Sequence, residues 1–322
     1  MKRHGVPGLA FATLSDCRVE RVEVFGLAHV DLERPVTSDT TFEAASLSKP
    51  VLAYLFMRNS RVRDAITLDN PIATHLTLSR IREPDVFSQL TPRILFTHHS
   101  GLPNWAGRAS DLKRTDPLVF AFSPGARFSY SGEGYQILQS YLETVSGESL
   151  EAHFQRELGQ TMPSSSFARS VTTPAQGYAD DGWNRPVADF PPLAATSLRT
   201  VAQDYGRFMG MVCRGEGLPI EVWREMLRPQ VELVGDEFGA EPASLDGASL
   251  HWTIGWGLQN YRGRTIHFHW GDNGPFVAFA AFDRQSRAGV VFLANSRRGL
   301  KLVPDVVEPV VGSMKPVMSW LN

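Results

Sequence analysis

The sequence predicts an α/β fold in which an antiparallel sheet flanked by helices is built from both ends of the chain, with a mostly helical lobe inserted between them. Three observations carry this expectation. Short β-type runs occupy residues 8 to 30, helical periodicity and loops dominate from about 61 to 247, and a period of two returns after 252. The expected division is a sheet lobe of residues 1–60 plus 248–322 and an insert lobe of 61–247, with the functional site where they meet.

Leu9 to Leu14 and Val19 to Phe25 are rich in Val, Leu and Phe and are broken by Ser15-Asp16 and Gly26, which reads as two or three strands. A helix follows from about Ser46 to Met57. Pro50 constrains its start, because proline has no N–H for the carbonyl four residues earlier, so Ser46 falls at or near the helix N-terminus. Thr91-Pro92 supplies an N-cap and a first-turn proline for Ile94-Leu95-Phe96, and Gly101 ends that segment. Tyr135, Ile137, Leu138, Tyr141, Leu142 and Val145 keep the 3.6-residue period, with Gly147 as a C-cap. Thr200-Val201-Ala202-Gln203 reads as a capping box opening a helix through Tyr205, Phe208, Met209 and Val212. After 252, Thr265, His267 and His269 alternate with Ile266, Phe268 and Trp270, and Phe276 to Phe282 and Gly289 to Leu293 follow as hairpin-connected strands. Pro304, Pro309 and Pro316 interrupt the apolar stretch that ends at Trp320-Leu321, so its form stays open.

Composition bounds the function. The chain has 322 residues, 32 Lys plus Arg against 34 Asp plus Glu, and a net charge of -2. That balance, without a basic run, gives no footprint for nucleic acid. The longest apolar stretches, Pro50 to Met57 and Pro275 to Phe282, fall far short of the roughly 18 to 20 residues of a membrane helix. Cys17 and Cys213 lie far apart without Cys or His neighbours at ligand spacing, which excludes a disulfide framework and a thiolate zinc site and leaves the compartment undecided. Met1 to Phe11 imitates a signal peptide, but Gly5, Pro7 and Gly8 interrupt its apolar part. The chain as it stands is therefore expected in the cytoplasm, or in the periplasm or medium if a leader has been removed.

None of the serines has the G-x-S-x-G elbow, so the remaining economical nucleophile is S-x-x-K, in which hydroxyl and amine share one helix face. Ser46-Leu47-Ser48-Lys49 fits, and Ser110-Asp111-Leu112-Lys113 fits the same expression. Context separates them. Ser110 lies in a polar stretch where Lys113 would stay solvated and protonated. Ser46 opens a helix continuing Val51-Leu52-Ala53-Tyr54-Leu55-Phe56, whose burial disfavours the ammonium form of Lys49.

At these residues the sequence resembles the serine β-lactamase and penicillin-binding-protein superfamily, in particular its class C β-lactamase-like branch with esterases and D-amino-acid peptidases. The resemblance runs through Gly5 to Gly8, Thr41 to Pro50, Leu68 to Pro71, Leu95 to Pro103, Pro124 to Gly132 and His269-Trp270-Gly271. It implies that Ser46 is the acylated nucleophile, that Lys49 and Tyr130 share general acid and base duty, and that His269, Trp270 and Gly271 line the cleft. It also implies an oxyanion site made by the backbone N–H groups of Ser46 and Asp272.

Two departures bear on the substrate. The Y-x-N motif ends here in Gly132, which lacks the usual carboxamide, and Trp270 stands where β-lactam-binding members often carry a hydroxyl beside a His269 that is largely uncharged. Small acyl esters, which need neither group, are therefore the expected substrates, with Trp270 offering them apolar surface. The alternatives are a β-lactamase, a D-amino-acid peptidase or amidase, and, in another class, a catalytically silent ligand-binding module. No cofactor or metal is expected, since no carboxylate is spaced to join His267, His269, His98 or His99. His98 and His99 more plainly support the turn before Gly101, Arg297-Arg298 a solvated strand end, and Tyr54, Phe56, Phe276 and Phe282 the core.

Overall fold

Pairing of residues 9–14 with residues 289–294 puts the two chain ends in one sheet. The computed structural model describes residues 1–59, 68–107, 115–168, 173–180, 184–187, 191–235 and 247–321. The N-terminal strands are β1 (Gly8–Ser15), β2 (Arg18–His29) and β3 (Arg34–Pro35), and β4 (Phe42–Glu43) leads into a 3₁₀ turn at Ala45–Leu47 and helix α1 (Ser48–Arg58). The central stretch holds α2 (Pro84–Phe87), α3 (Pro92–Phe96), α4 (Gly132–Ser146), α5 (Leu150–Leu158), β5 (Gln176–Gly177), β6 (Arg185–Pro186), β7 (Arg199–Thr200), α6 (Ala202–Arg214) and α7 (Ile220–Leu227). Strands β8 (Val231–Glu232), β9 (Ser249–Trp252), β10 (Gly257–Tyr261), β11 (Arg264–Asp272), β12 (Val277–Asp283) and β13 (Ala288–Ala294) follow, then α8 (Glu308–Val311) and α9 (Lys315–Trp320).

The main sheet has the order β3-β2-β1-β13-β12-β11-β10-β9-β8, with antiparallel pairing throughout. The first and last strands are neighbours inside it, where Leu9 faces Ala294 and Leu14 faces Gly289. Ala278, Ala280 and Phe282 of β12 join the core under α1 and α6, while Val277, Phe279 and Ala281 join the core under the C-terminal helices. A strand covered on both faces can be apolar at every position, which is why Phe276 to Phe282 reads as a continuous hydrophobic run.

Several local expectations change. The break expected at Gly26 is a kink inside β2, where Gly26 adopts φ +75° and the strand continues to His29. The three C-terminal prolines open short helical segments at Val303–Val307, α8 and α9, because a first-turn proline has no intrahelical N–H to lose. Thr200 does not cap α6. Its N-cap is Val201, and the Thr200 hydroxyl is engaged with Ser165 Oγ at 2.7 Å. Helix α6 itself packs on β1, β2 and β13, although its residues fall in the stretch expected to form the inserted lobe.

The expectation for the cysteines is overturned. Cys17 and Cys213 form a disulfide across 196 residues of sequence, tying the β1–β2 turn to the end of α6. Spacing along the chain carries no information about two residues that the fold brings together, and the packing of α6 on the first hairpin makes the pair.

Candidate active site

The turn that carries Ser46 is fixed by bonds within itself and by Leu198 and Tyr205 outside it. The Ala44 N–H donates to the Leu198 carbonyl at 2.8 Å, and the Leu47 N–H returns to the Ala44 carbonyl at 3.0 Å. Ser48 Oγ donates to the Ala45 carbonyl at 2.6 Å and accepts the Leu198 N–H at 3.0 Å, while the Tyr205 hydroxyl donates to the Leu47 carbonyl at 2.9 Å. Ala45 is held at φ +49°, a left-handed conformation that L-residues adopt at a cost of about 1–2 kcal/mol. Over-determined strain of this kind belongs to sites whose geometry matters. Ala45, Ser48 and Tyr205 were not expected as site residues, and only Ser48 lies inside a motif that could have drawn attention to it.

Lys49 is one turn further on, 1% exposed, with Nζ 2.9 Å from Ser46 Oγ and donating to the Ala195 carbonyl at 2.8 Å. Burial holds its amine well below the ordinary lysine value. A neutral amine has two hydrogens and one lone pair, so it can donate to Ala195 while accepting the Ser46 proton. Ser46 keeps partial exposure, which leaves its hydroxyl within reach of a substrate.

Tyr130 packs against this amine, with its ring centre 4.8 Å from Lys49 Nζ. His98 sets the ring. Its carbonyl accepts the Ser129 N–H at 2.8 Å, its Nδ1 accepts the Ser131 N–H at 3.0 Å, and its imidazole stacks on the phenol with centres 4.3 Å apart. His98 thus does more than support the turn before Gly101. It is fully buried, and burial, followed by Lys49, pushes its pKa well below the usual histidine value, so it is neutral.

The third segment enters on β11. Its neighbour β10 pairs only as far as Gly257 opposite Phe268, so among the described residues no strand covers that edge from His269 onward. Gly271 brings this edge against the serine turn: a Cβ there would lie 2.3 Å from the Ala44 carbonyl oxygen and 3.1 Å from the Ser46 nitrogen. Only a glycine permits the approach. The close neighbour that requires Gly271 is therefore the backbone of the turn that carries Ser46. Asp272 follows at the exposed strand end, where its carboxylate accepts the Gly274 N–H at 2.6 Å.

His269 and Trp270 lie deeper than expected. Both were expected to line the cleft, but His269 is fully buried and its Nδ1 faces the Trp270 carbonyl at 2.7 Å. Burial, with a smaller contribution from Lys49, lowers its pKa to about 3, so it carries no charge near neutrality. Trp270 is 6% exposed and packs among Tyr130, Trp252, His269 and Trp320, so most of its ring joins the core beside Tyr130.

Gly132 has no room for a side chain, since a Cβ would lie 2.8 Å from the Asn104 carbonyl oxygen and 3.0 Å from the Trp105 ring. The rival pair Ser110 and Lys113 lies outside the described residues.

A family model described as Beta-lactamase matches residues 1–306. Among curated proteins, penicillin-binding protein 4 of Amycolatopsis lactamdurans is 23% identical over 338 residues, covering 98% of this chain and 87% of that protein. Esterase EstB of Burkholderia gladioli is 31% identical over 150 residues, covering 39% of this chain and 38% of that protein. Among solved structures, the octameric penicillin-binding protein homologue from Pyrococcus abyssi superposes with a TM-score of 0.76 at 22% identity over 95% of this chain and 75% of that one. D-alanine carboxypeptidase AmpC from Burkholderia cenocepacia gives a TM-score of 0.72 at 21% identity over 94% and 93% of the two chains. At these identities the structural likeness is one of fold.

Proposed function

The chain belongs to the β-lactamase family and is a serine hydrolase, and from that premise we propose that it cleaves small carboxylic esters through a covalent acyl-enzyme on Ser46. The observation that carries this reading is the 2.9 Å approach of the buried Lys49 amine to the Ser46 hydroxyl. In acylation, Ser46 Oγ bonds to the ester carbonyl carbon as its proton moves to Lys49 Nζ. The carbonyl π pair becomes the oxyanion, which the Ser46 and Asp272 N–H groups hold. Collapse expels the alcohol oxygen, which leaves as the alcohol with a proton from Lys49 relayed by Tyr130. Water then repeats the sequence on the acyl carbon, releasing the carboxylic acid and returning the proton to Ser46. Every proton is accounted for by Lys49 and Tyr130.

The ester preference rests on what other substrates would ask for. A β-lactam presents a carboxylate, and the buried, neutral His269 gives it no cation. Its side-chain amide finds no carboxamide at Gly132. The partial match to esterase EstB supports the same preference. The match to penicillin-binding protein 4 along nearly the whole chain supports a second reading, hydrolysis of a D-amino-acid amide or a lactam by the same acyl-enzyme. The test is kcat/KM for p-nitrophenyl acetate and butyrate against nitrocefin and a D-alanyl amide. The ester reading expects the esters to lead by at least about tenfold, and comparable or faster nitrocefin turnover would overturn it.

A further inference from the structure

We infer that Asn273 is a positioning residue whose carboxamide locks the Asp272 N–H and the Ala195 carbonyl into register with the Ser46 turn, an inference that rests on the acyl-enzyme reading above. Asn273 immediately follows Asp272. Its Nδ2 donates to Glu43 Oε2 at 2.7 Å and to the Thr196 carbonyl at 3.4 Å, and its Oδ1 accepts the Thr196 hydroxyl at 2.5 Å. Each partner sits next to a working group. Thr196 follows Ala195, whose carbonyl receives the Lys49 amine, and Glu43 stands three residues before Ser46 on β4, 2% exposed.

The chemistry of these partners fixes the amide orientation. A carboxylate and a peptide carbonyl only accept, so the NH2 end must face Glu43 and the Thr196 carbonyl, which leaves Oδ1 for the Thr196 hydroxyl. Arg185 on β6 completes the cluster. Both its terminal nitrogens engage the Glu43 carboxylate, one at 2.9 Å from Oε2, and that same nitrogen reaches the Asn273 carbonyl at 3.3 Å. The guanidinium compensates a charge that would otherwise be costly to bury. One side chain thus couples three segments that are remote in sequence, one presenting the Ala195 carbonyl to Lys49 and another carrying the Asp272 N–H assigned above to the oxyanion. A shift of a few tenths of an ångström in the Asp272 N–H is felt in the transition state, where the oxyanion is formed, more than in substrate binding.

The test compares Asn273→Asp, Asn273→Leu and Thr196→Val with the unaltered enzyme on p-nitrophenyl butyrate from pH 5 to 8, with thermal midpoints measured in parallel and Ser46→Ala as control. Asn273→Asp is isosteric but turns an accepting oxygen toward the Glu43 carboxylate, and the two carboxyls fit together only when they share a proton. Its kcat should fall about 10- to 100-fold at pH 8 with KM changed less than about threefold, and the deficit should narrow toward pH 5. Asn273→Leu should stay low at every pH. Thr196→Val should lose kcat several-fold and carries the test alone if the Asn273 variants do not fold. Unaltered kcat in folded Asn273→Leu or Thr196→Val, or an Asn273→Asp deficit that ignores pH, would overturn the inference. Turnover that persists in Ser46→Ala would instead overturn the serine reading, and this inference with it.

Discussion

Gly271 and Ala44 are packed so closely that a single added methyl on the glycine would lie 2.3 Å from the Ala44 carbonyl oxygen. Strand β11 is thereby brought against the turn that presents Ser46, and the Ser46 and Asp272 amides are held on facing segments. Gly271→Ala must push the two apart. Overpacking of this kind costs about 1–3 kcal/mol of stability. The expected outcome is a lower thermal midpoint and a loss of kcat of about 100-fold or more, since the two amides proposed to hold the oxyanion would separate. Steady-state kinetics on a folded sample check it, and near-normal kcat would show that the approach is not needed.

Lys49 gives a pH signature with a definite sign. Burial lowers its pKa, so the folded protein holds it neutral in a range where the unfolded chain binds the proton. Stability should therefore fall as pH drops from the unfolded lysine value of about 10.4 toward the folded one. Lys49→Met removes this penalty and should raise the thermal midpoint while abolishing turnover, with the difference shrinking as pH approaches 10. Thermal unfolding of both proteins between pH 6 and 10 measures it. A difference in midpoint between variant and parent that does not change across this pH range would contradict a neutral buried amine.

The same protonation governs activity. kcat/KM should be level while Lys49 is neutral and should fall on the acid side as the ammonium forms, because an ammonium has no lone pair for the serine proton. Lys49→Arg should be nearly as inactive as Lys49→Ala, since guanidinium stays protonated at every usable pH. Substantial activity in the Arg variant would assign the base to Tyr130.

Much of this arrangement is legible in the residues themselves. Ser46 and Lys49 are separated from Ser110 and Lys113 by the apolar run that follows them, because burial lowers a lysine's pKa and so leaves its amine neutral, with a lone pair to accept a proton. Helix α4 declares itself through periodicity and the Gly147 cap, which the structure shows at φ +75°. What is not legible is tertiary. The strain at Ala45, the clamp of His98 on Ser129 and Ser131, and the burial of Trp270 depend on segments that meet only after folding, and a β-strand tryptophan reads identically whether it faces a cleft or a core.

The Cys17–Cys213 disulfide is the largest such surprise, and it carries a stability prediction. Cross-links that close long loops contribute typically about 2–4 kcal/mol, chiefly by restricting the unfolded chain. Cys17→Ser with Cys213→Ser, or treatment with a strong thiol reductant, should lower the thermal midpoint by several degrees and leave kcat for a small ester within about twofold, because the bond joins the β1–β2 turn to the end of α6 and not the Ser46 turn. An unchanged midpoint would mean that the bond does not form in solution.

The acyl-enzyme is most directly tested by intact mass spectrometry of the protein after brief reaction with a fluorophosphonate, followed by peptide mapping of the adduct. The expected result is one adduct per chain, located on Ser46, absent in Ser46→Ala, strongly slowed in Lys49→Arg and unaffected by Ser110→Ala. An adduct on Ser110, or hydrolysis of esters by a protein whose Ser46 never becomes labelled, would contradict it.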